Sequence, residues 1–447
     1  MSPTPHPGRA APLTPALRSF EAQWRARKPD LLAGLRENAM QRVLELGLPT
    51  TRDETWRYTN LRHLAQGSYV DAPEAPLQGL PPYALPSLLG EDGRTDPVLM
   101  VNGHPSLPMS MEAWPEGVEL SSLRDLSRTD PALVASHLEP LSDADQARWA
   151  LLNTALFEDG LYLRITAKVT TPLVILHLLT ADGANNVAYP RVIIDAAPGA
   201  SATIIEHYVE RGERPPLCNS ATHIAAGQDS RIEHYRIFET GVNATHIDSL
   251  TVRQHGNSRC QQFTIALGGA LVRGSLEASL NEAGASLDSY SLLVGHESRH
   301  VDCVNIVTHN ARDTRSRQTA RAIASGTSRV VLNSKVIVNA GAVQADSRQS
   351  CRGLLLSPQA EIDTRPQLEI HTDEVKCAHG ATVGRLDPDM LFYLLSRGLD
   401  RETAQSLLVF AFLADVLTGM SVPAARAAIE AALIAQLPHS KILQAFR

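Results

Sequence analysis

Aromatic side chains make up only 5% of the 447 residues, so any core must rest on Val, Ile, Leu and Ala. Cysteine is sparse too. Cys218, Cys260, Cys303, Cys351 and Cys377 lie far apart with no C-x-x-C pair. The odd count and wide spacing argue against a disulfide framework and fit reduced thiols in a cytosolic protein. Long apolar runs are missing. The longest uncharged one, Leu407–Ala414, is far shorter than the roughly 20 residues needed to span a bilayer. The opening MSPTPHPGRAAPLTP has no apolar core of a secretory signal, so a cytoplasmic protein with no membrane contact is expected. A net charge of −7 and the lack of any Lys/Arg cluster argue against a nucleic-acid partner. There is no G-x-x-x-x-G-K-[ST] loop, no G-x-G-x-x-G after a strand and no G-x-S-x-G elbow. These absences exclude P-loop nucleotide binding by this chain, a dinucleotide fold and a nucleophile elbow.

What remains is an ordinary globular composition, 43% hydrophobic and 20% charged, in a chain long enough for two or three domains. Residues 1–13 are rich in proline and small residues and read as a disordered tail. Thr14-Pro15 is an N-cap followed by proline at the first helical position, and a helix runs to about Arg27. Asp30 is expected to cap a second helix through Leu46, with Leu31, Leu35, Ala39, Val43 and Leu46 in helical period and Gly47 ending it. Pro97-Val98-Leu99-Met100-Val101 before Asn102-Gly103 reads as a strand entering a tight turn. Trp149–Gly160 has helical spacing and leads out of an N-terminal helical and mixed region, 14–160.

From Leu161 the texture changes. Short strand-like runs recur without helical period, and Ile-Glu-His-Tyr appears at 205–208 and again at 232–235. Turns beginning with glycine recur at Gly199, Gly227, Gly256 and Gly284, steps of 28, 29 and 28, and later at Gly326 and Gly341. A repeat of this size without helices favours a parallel β-helix over 161–380, whereas a β-sandwich would turn every 8–12 residues or so. Helices return at 381–447. Asp387-Pro388 and Asp400 open two of them, and Pro423 a third running to Leu437. The second carries an apolar stripe of Leu407, Leu408, Phe410, Ala411, Ala414 and Leu417, broad enough to need a partner surface.

Two constellations invite chemistry. His296-Glu297-Ser298-Arg299-His300 matches H-E-x-x-H, but zinc-protease chemistry needs a helix and this motif lies between two strand-like runs. On a strand the two histidines would stand about 13 Å apart, too far for one zinc. The other is Cys377 and His379. If Leu368–His379 is extended, both fall on one face about 7 Å apart, with His371 and Asp373 on the same face. A thiolate and an imidazole together can hold iron, zinc or copper(I), yet one pair falls short of the three or four ligands of a complete site. Carboxylates on strands (Glu277, Asp288, Asp302, Glu361, Asp363, Glu369) leave a β-helix carbohydrate-active enzyme as an alternative; solvated strand faces explain them more simply.

The run QLEI…DEVKCAHGATVGRLD followed by LFYLLSRG resembles the SufB/SufD family of iron–sulfur cluster assembly proteins, its SufD branch most closely. Where SufB-like chains carry C-x-H-E-A-T, this one has Gly380 in place of the Glu and continues Thr382-Val383-Gly384-Arg385. Trp56-Arg57-Tyr58-Thr59 and the ALNTA…DG element within Trp149–Gly160 also match, as does His300-x-Asp302 with His309. The resemblance covers most of residues 50–420. It implies a right-handed parallel β-helix core flanked by N- and C-terminal helical regions. It implies a non-enzymatic scaffold that pairs with a SufB-like paralogue through the β-helix, or with itself in isolation. A SufC-like ATPase would engage the C-terminal helices, where Leu391, Phe392, Leu407, Leu408, Phe410, Ala411 and Leu417 are the candidate docking residues. Cys377 and His379 would join a transient Fe–S cluster at the subunit interface, with a reduced flavin in the complex left open. Within the family the alternative is the SufB role, in which this chain would bear the main ligands.

Overall fold

The computed structural model describes residues 13–74, 97–107, 114–141, 147–180, 185–211 and 216–436. Residues 1–12 of the expected tail and Leu437 lie outside them.

Helix α1 (Pro15–Ala26) is capped by the Thr14 hydroxyl, as its sequence signals predict. Helix α2 (Ala33–Leu46) starts later than expected. Asp30 does not cap it; the carboxylate turns instead to the Leu32 N–H and the Arg36 guanidinium, and Leu31 is left 66% exposed. Gly47 ends α2 in a left-handed conformation, φ 72°. Then follow α3 (Arg62–Gln66), α4 (Leu123–Thr129), α5 (Pro131–Leu138) and α6 (Arg148–Leu156). Helix α6 stops four residues before Gly160. That glycine is a packing residue, since a Cβ on it would stand 2.5 Å from the Arg191 carbonyl oxygen.

The strands are β1 (Val70–Asp71), β2 (Val98–Val101), β3 (His104–Ser106), β4 (Val118–Ser122), β5 (Leu161–Ile165), β6 (Leu173–Thr180), β7 (Asn186–Ala188) and β8 (Arg191–Ala196). Next come β9 (Ser201–Arg211), β10 (Leu217–Ala226), β11 (Arg231–Glu239), β12 (Thr245–Gln254), β13 (Arg259–Ala266), β14 (Leu271–Leu280) and β15 (Ser286–Gly295). The series closes with β16 (His300–His309), β17 (Arg315–Ala324), β18 (Arg329–Val338), β19 (Asp346–Leu355), β20 (Glu361–Ile370) and β21 (Lys376–Gly384). Even-numbered strands from β8 to β20 pair in parallel in one sheet, and odd-numbered strands from β9 to β21 in a second. Successive strands alternate between two facing sheets, so each coil adds one rung to both. This is the parallel β-solenoid expected from the repeat length.

The register also corrects the repeat. Arg231 pairs with Ser201, so Ile232–Tyr235 lies beside Ala202–Ile205 and not beside the matching Ile205–Tyr208. The tetrapeptide echo is therefore three residues out of phase: Glu206 faces the interior at 0% exposure, and Glu233 faces outward to bond Ser421. Structural equivalents along the second sheet are Ser201, Arg231, Arg259, Ser286, Arg315, Asp346 and Lys376, 27 to 31 residues apart. At one corner, six successive coils take a left-handed residue. Gly199, Asp229, Asn257, Gly284, Asp313 and Gln344 fill it with φ of 53–75°. Gly227 and Gly256 precede the slot, because Asp and Asn tolerate that conformation themselves.

Inside the coils a polar seam separates two apolar clusters. Glu206 accepts from His177 (2.9 Å), His234 (2.8 Å) and Thr222 (2.8 Å); burial alone would raise its pKa, but the two imidazoles hold it well below the usual range. One rung on, Arg236 is ion-paired to Asp248, both wholly buried. Outside, the N-terminal helices cover the first sheet at Ile193, Leu217 and Ile247. The second sheet, at Tyr235, Phe263 and Leu292, is covered by α8 (Arg401–Leu417) and α9 (Pro423–Gln436), which follow α7 (Pro388–Ser396). Among the described residues, no helix is long and apolar enough to cross a membrane.

Candidate functional site at the terminal coil

The last coil consists of β20, a corner at residues 371–375, and β21. Leu368–His379 is thus not one extended run. The His371 N–H donates to the Val338 carbonyl and the Lys376 N–H to that of Ala345, which closes the corner onto the coil before it. His371 and Asp373 consequently leave the face of Cys377. His371 bonds Glu369 (3.1 Å), whose carboxylate is also held by Lys335 (2.7 Å).

Cys377 and His379 do share a face. They stand one rung beyond Ser347 and Gln349, which are 0% and 4% exposed, so both belong to the inward-pointing columns of the second sheet. Alternation places them about 7 Å apart along the strand. Cys377 packs half-buried against the interior apolar cluster, and burial pushes its thiol pKa up. His379 is exposed, because no further coil covers it. Beneath it the column continues through Gln349, Gln318, Ser289, Gln262 and His234. Both polar atoms of the Gln349 carboxamide are buried without a hydrogen-bond partner. Sequence reasoning passed over Gln349: a lone glutamine in a polar strand gives no signal until the register places it behind His379.

Among the described residues, no three His, Cys, Asp or Glu side chains gather where they could hold a metal ion. The terminal coil therefore offers at most a sulfur and an imidazole. A thiol with a raised pKa must be deprotonated by whatever it ligates. Cys218, Cys260, Cys303 and Cys351 are buried with their thiols pushed up by desolvation, to about 12 for Cys260 and Cys351. The H-E-x-x-H motif forms a corner between β15 and β16, with Glu297 at φ 56°. His296 bonds Ser325 (2.9 Å), whereas His300 bonds Thr59 (2.9 Å). No helix brings the two together.

The Trp56–Thr59 element is a clamp. Arg273 lies 3.7 Å over the Trp56 ring, pairs with buried Asp302 and donates to the Thr55 carbonyl; Thr59 bonds Asp302 as well. His300 and Asp302 thus hold the N-terminal region onto the solenoid, and inward-facing His309 bonds Thr314 and Ser316.

Exposed apolar side chains stand among the polar ones at the terminal coil and on the helix that follows it. Ile370 and Val383 are about 40% exposed, and α7 buries none of its residues, leaving Met390, Phe392 and Tyr393 58–71% exposed. Leu391 is half-buried. On α8 the buried face is Val409, Leu413, Val416 and Leu417, with Leu407 and Phe410 partly packed beside it. Leu417 is thus core, while Leu408 is half-buried and Ala411 faces solvent.

The sequence matches the family description "SUF system FeS cluster assembly, SufBD core domain" over residues 178–412 and "SufBD protein N-terminal region" over 17–175. The chain belongs to the SufBD family. Its relatives include the iron–sulfur cluster assembly protein SufD of Escherichia coli strain K12, 30% identical over 89% of this chain and 90% of that one. The SufBD family protein slr0076 of Synechocystis is 27% identical over 87% of each chain. The SufD of Bacillus subtilis is 23% identical over 91% of this chain and 93% of its own. The two SufBD segments meet within β6, close to where the helical N-terminal region gives way to the solenoid.

Proposed function

We propose that this chain is a SufD-like, non-catalytic scaffold subunit that helps build a nascent iron–sulfur cluster at an interface with a SufB-like subunit. The observation that carries the reading is the uncovered last coil. A half-buried thiol, an exposed imidazole and an unpaired carboxamide behind them face the open end of the solenoid, at two free sheet edges. Such an end supplies an incomplete ligand set, and incomplete ligation keeps a cluster transferable. The partner supplies the rest; the cluster is cargo, held while the subunits are together. The exposed apolar residues of α7, with Leu408 and Ala411 of α8, are offered to a SufC-like ATPase, whose nucleotide-driven motion would open and close the shared site. A reduced flavin would bind the assembled complex as a redox partner.

The test is His379→Ala in the complex reconstituted with both partners. Cluster content, read from iron and sulfide, is expected to fall at least fivefold while the complex elutes unchanged. Undiminished cluster assembly would remove His379 from the site, and a cluster held by this chain alone would favour the SufB-like role.

A further inference from the structure

Arg191 begins β8 on the face of the first sheet that the N-terminal helices cover. Only 5% of it is exposed. Its Nη1 donates to Asn153 Oδ1 (3.2 Å) and Thr154 Oγ1 (3.4 Å), both neutral, and its buried Nε has no acceptor. Among the described residues, no carboxylate oxygen comes within 4.0 Å of its nitrogens. Arg36 makes the contrast plain. Arg36 lies 4.1 Å over the Phe157 ring and Arg191 5.9 Å from the same ring, but Arg36 is paired with Asp30 at 2.9 Å. Burial, with Arg36 adding to it, lowers the Arg191 pKa to about 9, so the group still carries its proton at neutral pH. One uncompensated cation is therefore buried where the helical region meets the solenoid. A buried ion without a partner costs several kcal/mol, and folded proteins rarely leave one so.

Beside it, under α6, is a pocket of about 30 Å³. A site for one water needs roughly 10–15 Å³ by the same measure, so the pocket has room for one or two waters or a single small ion. Arg191, His137, Thr154, Ser249 and Thr251 are among its lining. The hydroxyls can each donate to an anion. His223, its ring tilted 57° to that of His137 at 5.2 Å between centres, has a buried Nε2 without a partner. Desolvation keeps both imidazoles neutral at pH 7, so each still has an N–H to offer. Arg191 and Arg253 both act to suppress protonation of the two rings, against Asp195 at His137, and Glu139 and Glu277 complete the charged groups around the pocket.

We propose that this pocket binds one chloride-sized monovalent anion as the counter-ion of Arg191, fastening the N-terminal helices to the solenoid. The site lies on the outer face of the first sheet, well inside the chain from the terminal coil, and does not depend on the scaffold reading.

The experiment is thermal unfolding of the full chain at constant ionic strength, with sodium gluconate replaced stepwise by sodium chloride. The midpoint should rise by roughly 2 °C or more and then saturate, as expected for a ligand of the native state. Bromide should substitute, and a crystal grown in bromide should show an anomalous peak beside Arg191. Arg191→Gln should abolish the halide response. If that variant fails to fold, Thr154→Val, which removes one donor, should at least halve the response. A midpoint indifferent to halide, a response that survives in Arg191→Gln, or a bromide peak without a saturable shift (an adventitious ion only) would each overturn the proposal.

Discussion

The two ends of the solenoid are built differently. At the first end the parallel stack is closed by antiparallel strands, β4 against β5 and the β2–β3 hairpin beside β6, and Val98, Met100 and Trp114 are buried against the interior cluster. At the other end β20 and β21 are the last rungs of their sheets, and no residue of β21 is fully buried. Stacked-coil proteins need a cap at each end to stay soluble, and bare parallel edges invite another chain. Among the described residues one end is capped and the other left bare, which is the asymmetry that the proposed interface at the terminal coil requires.

The sharpest way to break this contrast is to strike the covered body of the stack and its bare end separately. Midway along the stack, Asp248→Ala strands Arg236, which is 0% exposed and would lose its only carboxylate partner among the described residues. The chain should lose about 3–5 kcal/mol of stability, read by denaturant unfolding. His379→Ala on the last coil should stay within about 0.5 kcal/mol, because an exposed side chain away from any network contributes little. Equal losses at the two sites would mean that the terminal coil is core and not docking surface.

A smaller effect probes the open edge itself. Val383→Asp places a charge on β21 where the native side chain is 39% exposed. The isolated chain should unfold as before. Its affinity for a SufB-like partner should fall at least tenfold, about 1.4 kcal/mol, as read by titration calorimetry. Unchanged affinity would move the interface away from this edge.

Much of this was legible in the sequence because the signals are local. Thr14, Asp387 and Asp400 cap the helices they announce, and Asn102-Gly103 makes the hairpin turn. The coil length showed in the spacing of corner residues, since six successive coils turn through the left-handed region at the same corner. The tetrapeptide echo misled because pairing register is set by which residues face inward, and Glu206 and Glu233 face opposite ways. The Leu368–His379 run misled for a related reason: a corner made of His371-Thr372-Asp373-Glu374 has no glycine or proline to announce it. The docking face of α8 was out of reach. Apolar residues surround that helix, and only the position of the second sheet decides that Val409 and Leu413 go under while Leu408 and Ala411 stay out. Arg191 looked like any strand arginine, because the helices that bury it come from elsewhere in the chain.

The least costly tie joins the clamp to the bare end. Arg365 of β20 pairs with Glu54, and Gln367 donates to the same carboxylate at 3.2 Å. With side chains 28% and 65% exposed, a pair of this kind contributes about 0–1 kcal/mol. Gln367, then Arg365, hold the Glu54 pKa below its ordinary value against a small desolvation effect. A carboxyl depressed in the folded state stabilises above its unfolded value of about 4.3, and the contribution fades as pH falls below that. Arg365→Ala should therefore cost under about 1 kcal/mol at pH 7, and the cost should shrink as pH falls through the depressed pKa of Glu54 in the folded chain. Amide exchange in β20 should rise in the variant at pH 7, while exchange in β8 should not. If β8 loosens to the same degree, the two ends are one cooperative unit and the terminal coil cannot adjust to a partner independently of the rest.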